Sequence, residues 1–174
     1  LITCYTQEFG KLTAVAKSVL KGSSIQAMHL DILNLVEFEL IQGRSLPIIA
    51  GAQSENSFIN IKSNLPMLAV AQFFTDVVDK MVFDLQKDEA LWEFLVGVLE
   101  KLNNKVRPET ALTFFRQQQF YLLRVLGYGV ENKHFQFRSR LTLKGSDASH
   151  ETESAYFLGL RLRSLDFIYS VLKY

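Results

Sequence analysis

Cysteine is nearly absent from this chain of 174 residues, in which Cys4 is the single example. One cysteine cannot form an internal disulfide, and a chain without disulfides is typical of a reducing compartment. A zinc site needs about four clustered Cys, His or carboxylate ligands, whereas His29, His134 and His150 stand far apart. We therefore expect neither a disulfide framework nor a metal site.

Long apolar runs are also missing, and none approaches the roughly 18 residues of a membrane-spanning helix. With no secretory signal in view, we expect a cytoplasmic protein. No glycine-rich run enters a helix and no Gly-x-Ser-x-Gly elbow occurs. Asp76 and Asp79 could share a helix face, but Lys80 adjoins them and no other acid–base group converges. We expect no enzyme and no cofactor, but a protein that binds.

A strong overall charge is the third absence, since the formal net charge is only +1. The charges are nevertheless uneven along the chain: residues 1–52 are neutral, residues 53–106 carry −3 and residues 107–174 carry +4. An acidic middle and a basic C-terminal third indicate faces for different partners, or a scattered solvated surface. Apolar residues make up 48% and include 14 phenylalanines, so an aromatic-rich core is expected.

Four short segments alternate apolar and polar side chains as strands do, at residues 2–6, 11–17, 34–41 and 46–52. Residues 7–10 can turn the chain, with Gly10 free to take positive φ, and Phe9 is favoured as a core residue. Pro47 suits a sheet edge because it has no amide proton. A small OB-type barrel has five strands, so the pattern indicates that a first strand is missing before Leu1.

From Met67 onward the apolar spacing becomes helical. Helices are predicted over residues 67–81, where Asn64 is close enough to cap, and from an Asp88 cap to Leu102. Leu91, Leu95, Val98 and Leu102 share one face of the second. Further helices are predicted from Pro108 to a stop at Gly127 and over residues 158–172. Residues 135–144 alternate again as a strand. The sequence thus predicts an α+β fold: an OB-like β-barrel domain at residues 1–56, and a helical domain at residues 57–174 with a short β insertion near 135–144.

One segment carries the most information: TQEFGKLTAVAK at residues 6–17. It resembles the N-terminal domain of RecO, the bacterial recombination mediator, with its short turn ending Gly-Lys-Leu before an apolar strand. LVEFEL and GRSLP, at residues 35–40 and 43–47, are similar to that family's next hairpin. LRVLGY at residues 123–128 is similar to the end of its helical core. The resemblance extends over residues 2–128 and rests on the ordered set rather than on one motif.

The resemblance implies an N-terminal OB barrel that binds single- and double-stranded DNA, followed by helices. It also implies a role in DNA repair by homologous recombination, in the RecFOR pathway. Proteins of this kind anneal single strands and load RecA together with RecR, and in many bacteria with single-strand-binding protein. The chain departs from the pattern after Tyr128, where many members have a Cys-x-x-Cys zinc motif and residues 130–133 contain no cysteine.

Lysine and arginine residues near turns are the candidate DNA contacts, because neutralised phosphates supply most of the affinity for DNA. The β module provides four of them, and the basic face of the predicted strand at 135–144 provides three. The predicted contacts are Lys11, Lys17, Lys21, Arg44, Arg138, Arg140 and Lys144. Tyr5 is a local aromatic that could stack on a base.

The neutral charge of residues 1–52 supports an alternative function. In that interpretation the chain is a helical adaptor that recruits protein partners and does not bind DNA itself. An enzyme remains a third hypothesis, for which a deep pocket of converging polar groups would be the sign.

Overall fold

A computed structural model describes residues 1–17, 25–128, 156–157 and 160–171. Strands and helices follow one another as β1 (Ile2–Thr6), β2 (Gly10–Ala16), α1 (Ile25–His29), β3 (Leu35–Ile41), β4 (Ile48–Asn56), α2 (Ile59–Ser63), α3 (Leu65–Met81), α4 (Glu89–Asn104), α5 (Ala111–Val125), β5 (Tyr156–Phe157), β6 (Leu160–Arg161) and α6 (Arg163–Val171). A 3-10 turn, Pro108–Thr110, leads into α5. The predicted α+β class is confirmed.

The four N-terminal strands form one sheet in the order β1-β2-β4-β3. β1 is antiparallel to β2, and β3 is antiparallel to β4, whereas β2 and β4 run parallel. In the part of the chain that the structure describes, this sheet is open, with β1 and β3 at its edges. It is an OB-like arrangement, and closure into a full barrel stays a prediction.

The four strands predicted in the N-terminal part are confirmed, and the fourth is shifted in position. The fourth strand begins at Ile48, two residues later than the sequence pattern indicated, and ends at Asn56, four residues later than indicated. Pro47 therefore lies before an inner strand rather than on an edge, and its carbonyl accepts a hydrogen bond from the Val15 amide at 2.8 Å. Since only the carbonyl of Pro47 is used, its missing amide proton costs nothing here.

Helices α3, α4 and α5 confirm the three predicted amphipathic segments. The stripe predicted for α4 is buried at all four positions, Leu91, Leu95, Val98 and Leu102. The core is aromatic at its centre, where Phe73 meets Phe115 edge to face with ring centroids 4.9 Å apart. Phe74 adds a second edge-to-face contact with Phe73 at 5.3 Å. Such pairs add about 0.5–1.5 kcal/mol beyond burial.

The two predicted helix caps differ. The Asp88 carboxylate accepts a hydrogen bond from the Leu91 amide at 3.0 Å and so caps α4. Asn64 occupies the cap position of α3, but its side chain makes no cap bond; it donates to the Asn60 carbonyl at 2.8 Å instead. The prediction for Asn64 was therefore correct in position only.

The last predicted helix was too long at its start, because α6 begins at Arg163 rather than near 158. The two-residue strands β5 and β6, which pair antiparallel, precede it. Leu162, which has the spacing of the helical stripe, is buried just before the helix. The predicted strand at 135–144 lies outside the described residues.

Polar contacts join the sheet module to the helices at several places. The Leu85 amide, for example, donates to the Lys11 carbonyl at 2.8 Å. The Lys62 ammonium of α2 lies 2.6 Å from an Asp31 carboxylate oxygen and also donates to Asn34. The hydrogen bond from Lys62 holds the pKa of Asp31 below its usual range. None of the helices in the described ranges is both long and apolar enough to cross a membrane.

Candidate nucleic-acid interface

Lys17 and Arg44 both lie beside the short parallel contact of β2 with β4: Lys17 follows it along β2, and Arg44 precedes it on the way into β4. The parallel register of β2 and β4 pairs Val15 with Ile48 and Ala16 with Ile49. Lys17 follows directly on β2, and Arg44 belongs to the connection that precedes β4. Both side chains are exposed. We call the two residues, with the strand ends that carry them, the basic end.

The basic end is free of acidic residues in its own segments. Residues 42–47 contain Arg44 and no carboxylate, and Ala16 and Lys17 add a second positive charge. The exposed carboxylates Glu37 and Glu39 belong to β3 and lie farther from its end. Two exposed cations beside one strand contact are suited to neutralising phosphates of a nucleic-acid backbone.

Lys11 lies at the opposite end of β2 from Lys17. Six residues of extended strand separate them by roughly 20 Å. The Lys11 ammonium donates to the Asp79 carbonyl at 2.7 Å, and its nitrogen is 3.3 Å from an Asp84 carboxylate oxygen. Its side chain is only 17% exposed. The charge of Lys11 is thus already neutralised by the helical part, so this residue is suited to joining the two parts of the molecule.

The two aromatic residues of the β1–β2 hairpin, Tyr5 and Phe9, differ in exposure. Tyr5 is half-buried, stacks on Trp92 with ring centroids 6.4 Å apart, and donates to the Asp88 carbonyl at 3.3 Å. Burial, followed by the charge of Asp88, raises the pKa of Tyr5. Phe9, expected in the core, is 51% exposed. That prediction was wrong, because the β1–β2 turn carries the ring outward beside the buried Gly10.

A cleft of about 920 Å³ separates the sheet from the helices. Cys4, Phe38 and Trp92 contribute to its mainly apolar lining, and burial raises the pKa of the Cys4 thiol to about 11. Asp76 also lines it, but its carboxylate accepts a 2.6 Å hydrogen bond from Ser164 and lies 3.1 Å from the Lys80 ammonium. These partners give Asp76 a structural role in holding α6 against α3.

His29 and Cys4 are the histidine and the cysteine that the described ranges contain. No group of three or more His, Cys, Asp or Glu able to hold a metal occurs among the described residues. His29 uses its Nδ1 to accept a 3.1 Å hydrogen bond from the Ser54 amide, which attaches α1 to β4.

Several predicted contacts fall outside the described residues. They are Lys21, Arg138, Arg140 and Lys144. Of the seven predicted DNA contacts, the structure therefore places three: Lys17 and Arg44 are exposed beside the β2–β4 contact, and Lys11 is paired with the helical part.

Comparison with known proteins decides the family. A sequence model described as "Recombination protein O C terminal" matches residues 62–160, which is more than half of the chain. The chain belongs to the RecO family. The match covers α3, α4 and α5 of this RecO-family chain, and the identification made from its motifs is confirmed.

Individual relatives agree. A protein named DNA repair protein RecO from Dehalococcoides mccartyi is 30% identical over 131 residues, covering 75% of this chain and 51% of the relative. Proteins of the same name from a Nostoc species and from Bacillus mycoides are 28% and 26% identical; each covers 73% of this chain, with 44% and 50% of their own lengths matched. The chain thus spans about half the length of the curated relatives it matches.

The sequence interpretation missed one set of surface residues. Phe83 and Leu85, in the connection between α3 and α4, are 79% and 66% exposed. They follow the apolar stripe of α3 closely enough to be taken for its continuation. The sequence did contain one indication of their exposure, the charged Asp84 between them, because an unpaired carboxylate is costly to bury.

Proposed function

We propose that this RecO-family chain binds DNA through its basic end and assists DNA repair by homologous recombination. The observation that carries the proposal is that Lys17 and Arg44 are both exposed and both lie beside the parallel contact of β2 with β4 in an OB-like sheet. Its relatives bear the name DNA repair protein RecO. In the proposal, single-stranded and double-stranded DNA are both ligands, and phosphate contacts position the strand.

The proposed activity needs no chemistry at the protein. Annealing requires that two strands be held together while their charges are screened, which a protein does by binding alone. The same holds for helping to load RecA together with RecR, with single-strand-binding protein as a further partner. We accordingly propose a cytoplasmic mediator that hydrolyses nothing and uses no cofactor. Lys21, Arg138, Arg140 and Lys144 remain proposed contacts that would extend the basic end.

Charge reversal at the basic end tests the proposal. The Lys17→Glu/Arg44→Glu variant should shift labelled single-stranded DNA at least 10-fold less readily than wild type, and should anneal complementary oligonucleotides more slowly. Both residues are exposed, so folding should be preserved. Lys11 is left unchanged because its reversal would put a carboxylate against Asp79 and Asp84. Electrophoretic mobility shifts at moderate salt provide the measurement.

The matched control reverses two exposed lysines at the end of α4, Lys101 and Lys105. It changes the net charge by the same amount at a place remote from the basic end. If both double variants lose DNA affinity equally, overall charge rather than the basic end governs binding and the assignment fails.

The adaptor hypothesis is favoured by one observation, the neutrality of residues 1–52 together with the pairing of Lys11. It predicts that the purified chain retains a RecR-like partner in a pull-down but produces no DNA shift at any salt concentration. That result would replace the DNA-binding proposal.

A further inference from the structure

Three large apolar side chains surround the place where the sheet module meets the helices. Phe9, Phe83 and Leu85 are 51%, 79% and 66% exposed. We call these three residues the junction patch. Phe9 precedes Gly10, whose backbone lies against the Gln86 carbonyl, while Phe83 and Leu85 flank Asp84. Two turns that are distant in sequence therefore lie side by side, and each exposes large apolar side chains.

The backbone under this surface is held in place. The Leu85 amide donates to the Lys11 carbonyl at 2.8 Å, and Lys11 forms a β-bridge with Asp84. Leu85 itself has φ 59°, in the left-handed region that disfavours a bulky side chain. Because the Leu85 side chain is exposed, packing in the core does not explain this unfavourable conformation. Strain of this kind at a surface indicates a functional constraint.

The charges around the junction patch are predominantly negative. Residues 8–11 and 79–89 together contain five carboxylates and three lysines. Two of the lysines are already in ion pairs, Lys11 with Asp84 and Lys80 with Asp76 one helical turn earlier in α3. This rim repels nucleic acid and attracts a positively charged partner.

The position of the patch separates it from the basic end. It lies at the start of β2, whereas Lys17 follows the end of that strand, roughly 20 Å away. A partner at the junction patch and a DNA strand at the basic end would therefore not compete.

We propose that the junction patch is a docking site for a partner protein that presents apolar side chains flanked by lysine or arginine. Apolar anchors with a charged rim are the usual anatomy of a protein–protein contact. The complementarity of charge selects a basic partner over an acidic one and over DNA. This site is independent of the proposed DNA contacts, so either assignment can fail without the other.

Two synthetic peptides probe the site, with the same amphipathic pattern of leucine and phenylalanine but flanked either by lysines or by glutamates. We expect fluorescence anisotropy with the full chain to show binding of the lysine peptide at least 10-fold tighter than that of the glutamate peptide. Raising the salt concentration should reduce this preference. The Glu8→Lys/Glu89→Lys variant should bind the lysine peptide more weakly than wild type does, and the glutamate peptide more tightly.

The decisive variant is Phe83→Ser/Leu85→Asn. It removes the apolar contacts, and asparagine accepts the left-handed conformation better than leucine does. We expect at least a 10-fold loss of lysine-peptide affinity, a melting temperature no lower than that of wild type for Leu85→Asn alone, and unchanged DNA binding. The control Met28→Gln/Ile59→Asn alters side chains that are 72% and 70% exposed elsewhere, and its peptide affinity should stay within twofold of wild type.

Three results would overturn the proposal. The first is equal loss of peptide binding in the patch variant and in the control. The second is a concentration-dependent dimer that Phe83→Ser/Leu85→Asn abolishes, because a second copy would then be the occupant. The third is loss of DNA binding in the patch variant, which would assign the surface to nucleic acid.

Discussion

At the scale of single residues, Gly10 makes the joint between sheet and helices possible. Its φ of 72° is one that side-chain-bearing residues disfavour. A Cβ atom at this position would lie 2.0 Å from the Gln86 carbonyl oxygen, which is far inside van der Waals contact. The absence of a side chain thus lets the α3–α4 connection lie directly against the β1–β2 turn.

Gly10→Ala is expected to destabilise the protein more than Gly127→Ala does. Both glycines have positive φ, which costs alanine about 1–2 kcal/mol, but nothing lies within 4 Å of a Cβ at Gly127. The additional loss in Gly10→Ala reports the clash with Gln86. Chemical denaturation of both variants measures the difference. Equal losses would mean that the close approach at Gly10 has no energetic weight.

Cys4 should react unusually slowly with alkylating reagents. Burial raises the pKa of its thiol from 9.0 to about 11, so at pH 8 the thiolate fraction is roughly 100-fold lower than in a free thiol. Because the folded state favours the neutral thiol, the associated stability is complete below pH 9 and is lost as pH rises towards 11. Iodoacetamide labelling from pH 8 to 10 should accelerate about 10-fold per pH unit. A rate that levels off near pH 9 would contradict burial of the thiol.

At the scale of elements, long helices were predictable and short ones were not. The stripe of α4 and its Asp88 cap follow from local spacing and chemistry, which packing then satisfied. Helices α1 and α2 have five residues each, too few for a periodic pattern. The onset of α2 also depends on Phe58, whose φ of 44° is stabilised by complete burial of its ring, a tertiary effect without a local signature.

Removing the Asp88 cap should cost about 1 kcal/mol of folding free energy in Asp88→Ala, because the Leu91 amide loses its acceptor. Asp88→Asn keeps a side-chain oxygen at the same place and should cost only a few tenths of a kcal/mol. Urea denaturation monitored by circular dichroism distinguishes the two. An alanine variant as stable as wild type would show that the cap is dispensable.

At the scale of the whole molecule, the arrangement of charges depends on long-range pairing. The sequence identified Lys17 and Arg44 as candidates, but only the parallel pairing of β2 with β4 sets both beside one strand contact. The start of β2 carries Lys11 against Asp79 and Asp84, residues more than sixty positions away. No local pattern predicts such contacts, which explains why Lys11 and Lys17 were equivalent in sequence and differ in the fold. Lys17 and Arg44 stay exposed, whereas the start of β2 is joined to an acidic surface.

The central claim is that the basic end binds DNA, and the salt dependence of single-strand affinity tests it most directly. Each phosphate contact contributes about 0.7 to the slope of log affinity against log salt concentration. Replacing Lys17 and Arg44 with alanine should therefore reduce the magnitude of the slope by about 1.4, while Lys101→Ala/Lys105→Ala leaves it unchanged. A wild-type affinity that does not fall with salt, or a slope unaffected by Lys17→Ala/Arg44→Ala, would contradict the account.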